Sequence, residues 1–219
     1  VTAAFSVQFQ VMNINTWNAM GEDIQKAFML AAQDAADAAN AEDPNWDLVN
    51  GAKQPKELLY ARRMTEALDR FRPSAPESVR LAARCQHIRR WTRPRSDYPE
   101  GRHGYRQWRT DLAQFHAATA ADILRDVGYD DTVIGRVGSL LRKERLKVDP
   151  DVQLLEDVVC LVFLQHYLVD FAPKHDDDKL LGVLRKTGRK MSEEGRHAAL
   201  ALTLPAALRT LVERAVATP

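Results

Sequence analysis

Residues 149–171 read DPDVQLLEDVVCLVFLQHYLVDF, and this stretch decides the fold. It is the most apolar segment of the chain, and it ends just before Pro173. Its longest apolar run, around Val158–Leu164, falls well short of the roughly 20 residues a membrane span requires. The segment therefore reads as a core helix. Two acids interrupt it, Glu156 and Asp157, and a carboxylate in such a run is costly unless paired, hydrogen-bonded or metal-bound. Helical neighbours point about 100° apart, so only one of them can face straight inwards. Asp157 shares a face with Cys160, Leu161 and Leu164, which leaves Glu156 at the rim.

Helical signals continue on both sides. Gly21–Ala39 is rich in alanine, and Lys56–Phe71 carries Leu58, Leu59, Met64, Leu68 and Phe71 near the 3.6-residue period. Ser74 and Glu77 stand at capping-box spacing, which predicts a helix reaching Trp91. Tyr105–Val127 is closed by Gly128, and Asp130–Glu144, Lys179–Arg185, Ser192–Leu204 and Pro205–Ala217 follow. An aspartate of KHDDDK, Lys174–Lys179, is expected to cap the next helix. Arg62 and Glu66 stand at the i, i+4 spacing of a surface pair. Asn40–Pro55 reads as a turn, and no stretch alternates like a strand. The expectation is an all-α fold, one helical bundle over residues 21–219. Residues 1–20 read as a leader, disordered or foreign to the natural chain, with Met20 a natural start.

Composition narrows the function. The 31 Lys and Arg nearly balance the 30 Asp and Glu, leaving a net charge of +1. The chain as a whole is thus no electrostatic magnet for nucleic acid, which is a possible partner but not a favoured one. Cys85 and Cys160 suggest no disulfide framework. The first residues lack the basic start and apolar block of a signal peptide. A cytoplasmic protein without a membrane partner is expected.

Positive charge is instead concentrated in QHIRRWTRPRSDYPEGRHGYRQWR, Gln86–Arg109, with seven arginines, two tryptophans and two tyrosines. Guanidinium forks bind phosphate bidentately and stack on aromatic rings. Broken by Pro94, Pro99, Gly101 and Gly104, the segment reads as a loop that holds an anion. Arg90, Arg95, Arg102 and Arg109 are expected to clamp phosphate, while Trp91, Tyr98 or Tyr105 stacks on a base. The alternative is a surface loop paired with acids elsewhere. A second basic cluster, RKTGRKMS at Arg185–Ser192, offers Lys186 as a phosphate contact. His87, His116 and Asp157, from three helices, suit a divalent transition metal. Alternatively, the histidines cap helix ends and Asp157 pairs with an arginine.

Five blocks fall in order: DPN at 43–45, ELLYARRM at 57–64, the arginine segment, QLLEDVVCLVFL at 153–164 and KTGRKMSEEG at 186–195. In this order they resemble the family called domain of unknown function 4202, over roughly residues 25–215. That resemblance implies no activity. Members tend to carry Trp where this chain has Gly188. A weaker resemblance, to the HD phosphohydrolase superfamily, implies an HD-domain-like helical fold with a metal on His87, His116 and Asp157. The superfamily's His-Asp doublet is His116–Ala117 here, so one carboxylate is missing.

The expected function is a metal-dependent phosphohydrolase acting on a nucleotide or another small phosphoester. In it Arg95 and Arg109 stabilise transition-state charge, and Glu156 acts as general base or supports the metal ligands. The alternatives are a metal-free module binding an anionic ligand (nucleotide, phosphorylated metabolite or RNA) and a helical scaffold for a protein partner.

Overall fold

The computed structural model of the chain describes residues 21–216, so the leader expected over residues 1–20 lies outside the described residues. Helix α1, Glu22–Ala41, turns its small residues Ala32 and Ala36 inwards and packs on the helices that follow. A hairpin, β1 (Trp46–Val49) and β2 (Ala52–Pro55), leads into α2 (Lys56–Phe71) and α3 (Glu77–Arg84). Then come α4 (Gly101–Val127), α5 (Asp131–Leu141) and α6 (Pro150–Val162). A π-helical turn, Phe163–Tyr167, joins α6 to α7 (Leu168–Phe171). Helices α8 (Asp177–Lys190), α9 (Glu193–Leu200) and α10 (Ala206–Val216) complete the described chain. The fold is all-α, as the hydrophobic periodicity predicts.

Helix α6 sits between two apolar clusters because its sequence is apolar on nearly every side. Leu155, Val158 and Val162 pack with Met64, Leu124 and Leu140. Cys160, Leu161 and Leu164 pack instead with Leu184, Met191 and Val216. By length and mean hydropathy (1.5) the segment Pro150–Lys174 could pass for a membrane span, yet 61% of its most apolar window is buried inside the protein. Side-chain caps start several helices. Asp130 accepts from Val133 N–H (2.9 Å), Asp149 from Asp151 N–H (3.0 Å), Asp176 from Lys179 N–H (2.8 Å) and Ser192 from Gly195 N–H (2.9 Å). Each such cap stabilises its helix by about 1 kcal/mol.

Several local expectations need correction. Residues 46–55 form an antiparallel hairpin with Asp47 opposite Gln54, not an irregular turn. Its Asn50–Gly51 tip has positive φ at both residues, the backbone that Asn-Gly favours in two-residue hairpins. Ser74 does not cap α3, which begins after Pro76; Glu77 instead accepts a hydrogen bond from the Tyr129 hydroxyl at 2.7 Å. Helix α3 stops at Arg84, and the chain turns through Cys85–Arg89, where Arg89 is left-handed (φ 49°). Helix α4 starts at Gly101, not Tyr105, because a Cβ on Gly104 would lie 1.9 Å from the Pro99 carbonyl oxygen. Only glycine lets the helix begin under that loop. Arg62 pairs with Asp37 (3.5 Å). Glu156, finally, is not at the rim of α6: it is as buried as Asp157, because lysines from two other segments reach in to meet it.

Candidate functional site

The DPN block fixes the entrance to α2. Asp43 is buried, and its carboxylate accepts from the Asn45 N–H at 2.9 Å and from the Glu57 N–H at 3.0 Å. Glu57 is thereby held on the first turn of α2, one turn before Tyr60. His87 comes in from the turn after α3. Its Nδ1 lies 3.2 Å from Glu57 Oε2, and its ring stacks on Tyr60 with centroids 3.9 Å apart and planes 13° apart. Arg90 Nη1 sits 3.2 Å from both ring nitrogens of His87. On α4, Arg109 and His116 are two helical turns apart and share a face. The rings of His116 and His87 are 5.9 Å apart.

A second set of charges closes the far wall. Lys143 follows α5 in a left-handed conformation (φ 56°), costly for a residue with a Cβ. Its ammonium donates to Glu156, and Lys190 on α8 lies 3.3 Å from the same carboxylate. Between these walls opens a cavity of about 680 Å³. Five cations line it, Lys56, Arg90, Arg109, Lys143 and Lys190, against two carboxylates, Glu57 and Glu156. Tyr105, Phe163, Tyr167 and Phe171 supply aromatic surface. Two of these, Phe163 and Tyr167, come from the π-helical turn, a distortion frequent at functional sites.

The electrostatics divide these groups by role. Burial raises Glu57 to about 7, with Arg90 opposing the rise. Burial, then Arg90 and Arg109, pushes His87 well below the usual imidazole range. His87 is therefore neutral, and Glu57 takes up its proton near neutral pH. Burial would raise Glu156 too, but the Lys143 and Lys190 ammoniums outweigh it and hold that carboxyl down. Burial lowers Lys143, opposed by Glu156.

The predicted residues separate into two groups. His87, Arg90, Tyr105, Arg109 and Glu156 line the cavity, and His116 lies directly behind His87. Arg95 does not reach it: its guanidinium donates to the Tyr98 and Pro99 carbonyls, both at 2.8 Å. Arg102 and Lys186 are exposed, and neither they, Trp91 nor Tyr98 lines the cavity. Arg93 stacks over Phe115, while Arg90 lies over Trp108 and still reaches the cavity. Lys190, one turn beyond Lys186, faces the site with Thr187 and Val183.

Asp157 stands apart from the two histidines. It accepts from the Ser192 N–H (2.8 Å), the Ser192 hydroxyl (2.6 Å) and Gln153 (3.0 Å), and it does not line the cavity. Among the described residues no group of three or more His, Cys, Asp and Glu side chains is placed to hold a metal ion. His87, His116 and Asp157 are not brought together as one such group. Sequence reasoning overlooked Glu57, Tyr60, Lys143, Lys190 and Tyr167. Glu57 opens ELLYARRM three residues before Tyr60, a one-turn spacing that could have marked the pair.

A family model described as "Domain of unknown function (DUF4202)" matches residues 30–212. The chain belongs to the DUF4202 family. No curated protein and no solved structure matches it. The DUF4202 blocks acquire physical roles here: DPN holds Glu57, ELLYARRM supplies Glu57 and Tyr60, and QLLEDVVCLVFL supplies Glu156. Gly188 is buried against α10, and a Cβ there would lie 3.2 Å from Val216 Cα. The segment is packing rather than ligand contact at that position.

Proposed function

We propose that the cavity binds a small phosphorylated molecule without a metal held by His87, His116 and Asp157. The observation that carries this reading is the charge imbalance of the lining, five cations against two carboxylates in one cavity. Arg90 and Arg109 supply planar forks and Lys143 and Lys190 supply point charges, the two ways proteins hold phosphate. The aromatic walls suit a planar or apolar body attached to that phosphate. Thermal unfolding in inorganic phosphate and in chloride at equal ionic strength tests the reading. Binding to the folded state alone raises the unfolding temperature with phosphate concentration.

The Glu57–His87 contact supports a second, enzymatic reading of the same cavity. With Glu57 ionised, Nδ1–H of His87 donates to it, and Nε2, which faces the Arg90 guanidinium at 3.2 Å, takes a proton from a water once Arg90 turns to the phosphate. Phosphoester hydrolysis, the chemistry of the HD phosphohydrolases that the chain weakly resembles, would then proceed on different residues. Water would lose its proton to His87 and attack phosphorus, the ester P–O bond would break and its oxygen would take that proton from His87, while Arg90 and Arg109 neutralise the developing charge. Release of inorganic phosphate from a panel of phosphomonoesters, lost in His87→Gln, tests this reading.

A further inference from the structure

A smaller cavity of about 250 Å³ adjoins the main one, and His87, Arg109 and Lys143 line both. These three side chains form a common wall between the outer, aromatic chamber and this second, inner one, whose far side meets the surface at Thr110 and Gln114. Two inner-wall residues are nearly inaccessible, Gln86 at 5% and His116 at 4% exposure. Both line the inner cavity, and Gln86 Oε1 and His116 Nε2 are buried without a hydrogen-bond partner among the described residues. Native proteins pair nearly all such atoms, so two orphans on one cavity point to a missing partner. A water occupies roughly 30 Å³ of liquid volume, so the chamber has room for several, or for a phosphoryl group.

We propose that the inner cavity is the seat of the ligand's phosphoryl head. One oxygen lies between Arg109 and Lys143; a second accepts from His116 Nε2–H and a protonated third donates to Gln86 Oε1, once the imidazole and the amide turn these two atoms, covered in this structure, towards the cavity. The body of the ligand extends past His87 into the outer chamber. This inference rests on the phosphate-binding reading given above. Its chemistry is consistent with the charge states: burial and the neighbouring His87, Arg90 and Arg109 keep His116 neutral, so a single N–H serves the anion. The arrangement suits a phosphomonoester, whose three terminal oxygens can each meet one of these partners.

The test is a titration of the full chain with inorganic phosphate, followed by the imidazole ¹⁵N resonances and by calorimetry. Wild type, His116→Phe, Gln86→Leu and Arg109→Ala are compared. The expected result is a saturable shift of His116 Nε2 and a tenfold or greater loss of phosphate affinity in His116→Phe. Without phosphate, His116→Phe and Gln86→Leu are expected to unfold at or above the wild-type temperature, because each removes an unpaired buried polar atom. A merely structural role would lower it. If Arg109→Ala abolishes phosphate binding but the other two variants bind within twofold of wild type and His116 Nε2 does not move, the inner seat is overturned and the cationic cavity stands. If phosphate does not bind the wild type at all, both fall.

Discussion

His87 Nδ1 and Glu57 Oε2 lie 3.2 Å apart in a wall where burial drives both groups towards their neutral forms. A carboxyl raised to about 7 binds its proton more tightly folded than unfolded. Its contribution to stability is therefore complete below pH 4.5, its ordinary value, and lost as pH rises through about 7. Glu57→Gln removes that loss. Relative to wild type, the variant is expected to gain about 3 kcal/mol between roughly pH 4 and pH 9, since each tenfold change in proton affinity is worth about 1.4 kcal/mol. Urea unfolding of both proteins at the two pH values checks it, and parallel profiles would count against the assignment.

The two arginine groups should behave differently. Arg109→Ala is expected to weaken phosphate binding tenfold or more, since a charge-assisted hydrogen bond contributes about 1.5–3 kcal/mol. Arg95→Ala should leave affinity unchanged, because its guanidinium is occupied by the Tyr98 and Pro99 carbonyls. Calorimetry on the two variants separates a binding arginine from one that shapes a loop.

Asp157→Ala should destabilise the protein by about 2–4 kcal/mol, leaving the Ser192 N–H and hydroxyl without their acceptor. Phosphate affinity and metal content should not change. Chemical denaturation with elemental analysis of the same samples decides between this role and metal ligation.

Gly188→Trp should cost about 1–3 kcal/mol through overpacking between α8 and α10. Urea denaturation measures it; a neutral or stabilising effect would mean that the two helices separate easily.

The helices were legible in the sequence because their signals are local: the apolar run of α6, the Asp176 and Ser192 caps, and Gly128 beyond α4. The hairpin was less so, since its strands carry few β-branched residues and only Asn50–Gly51 announces it. Of the site, His87, Arg90, Arg109 and Glu156 could be picked out as costly or unusual residues in their segments. Which of the arginines reach the cavity could not, because that depends on where the loop's carbonyls and rings lie after folding. Arg95 and Arg93 are taken by the loop and by Phe115. Lys143 and Lys190 gained their place from a partner, Glu156, that sequence distance hides.

The most direct measurement of the central claim is isothermal titration calorimetry of the wild-type chain and Arg109→Ala with inorganic phosphate. The account predicts saturable binding with one phosphate per chain in the wild type and at least tenfold weaker binding by Arg109→Ala. No saturable binding in the wild type, or equal binding by both proteins, would contradict it.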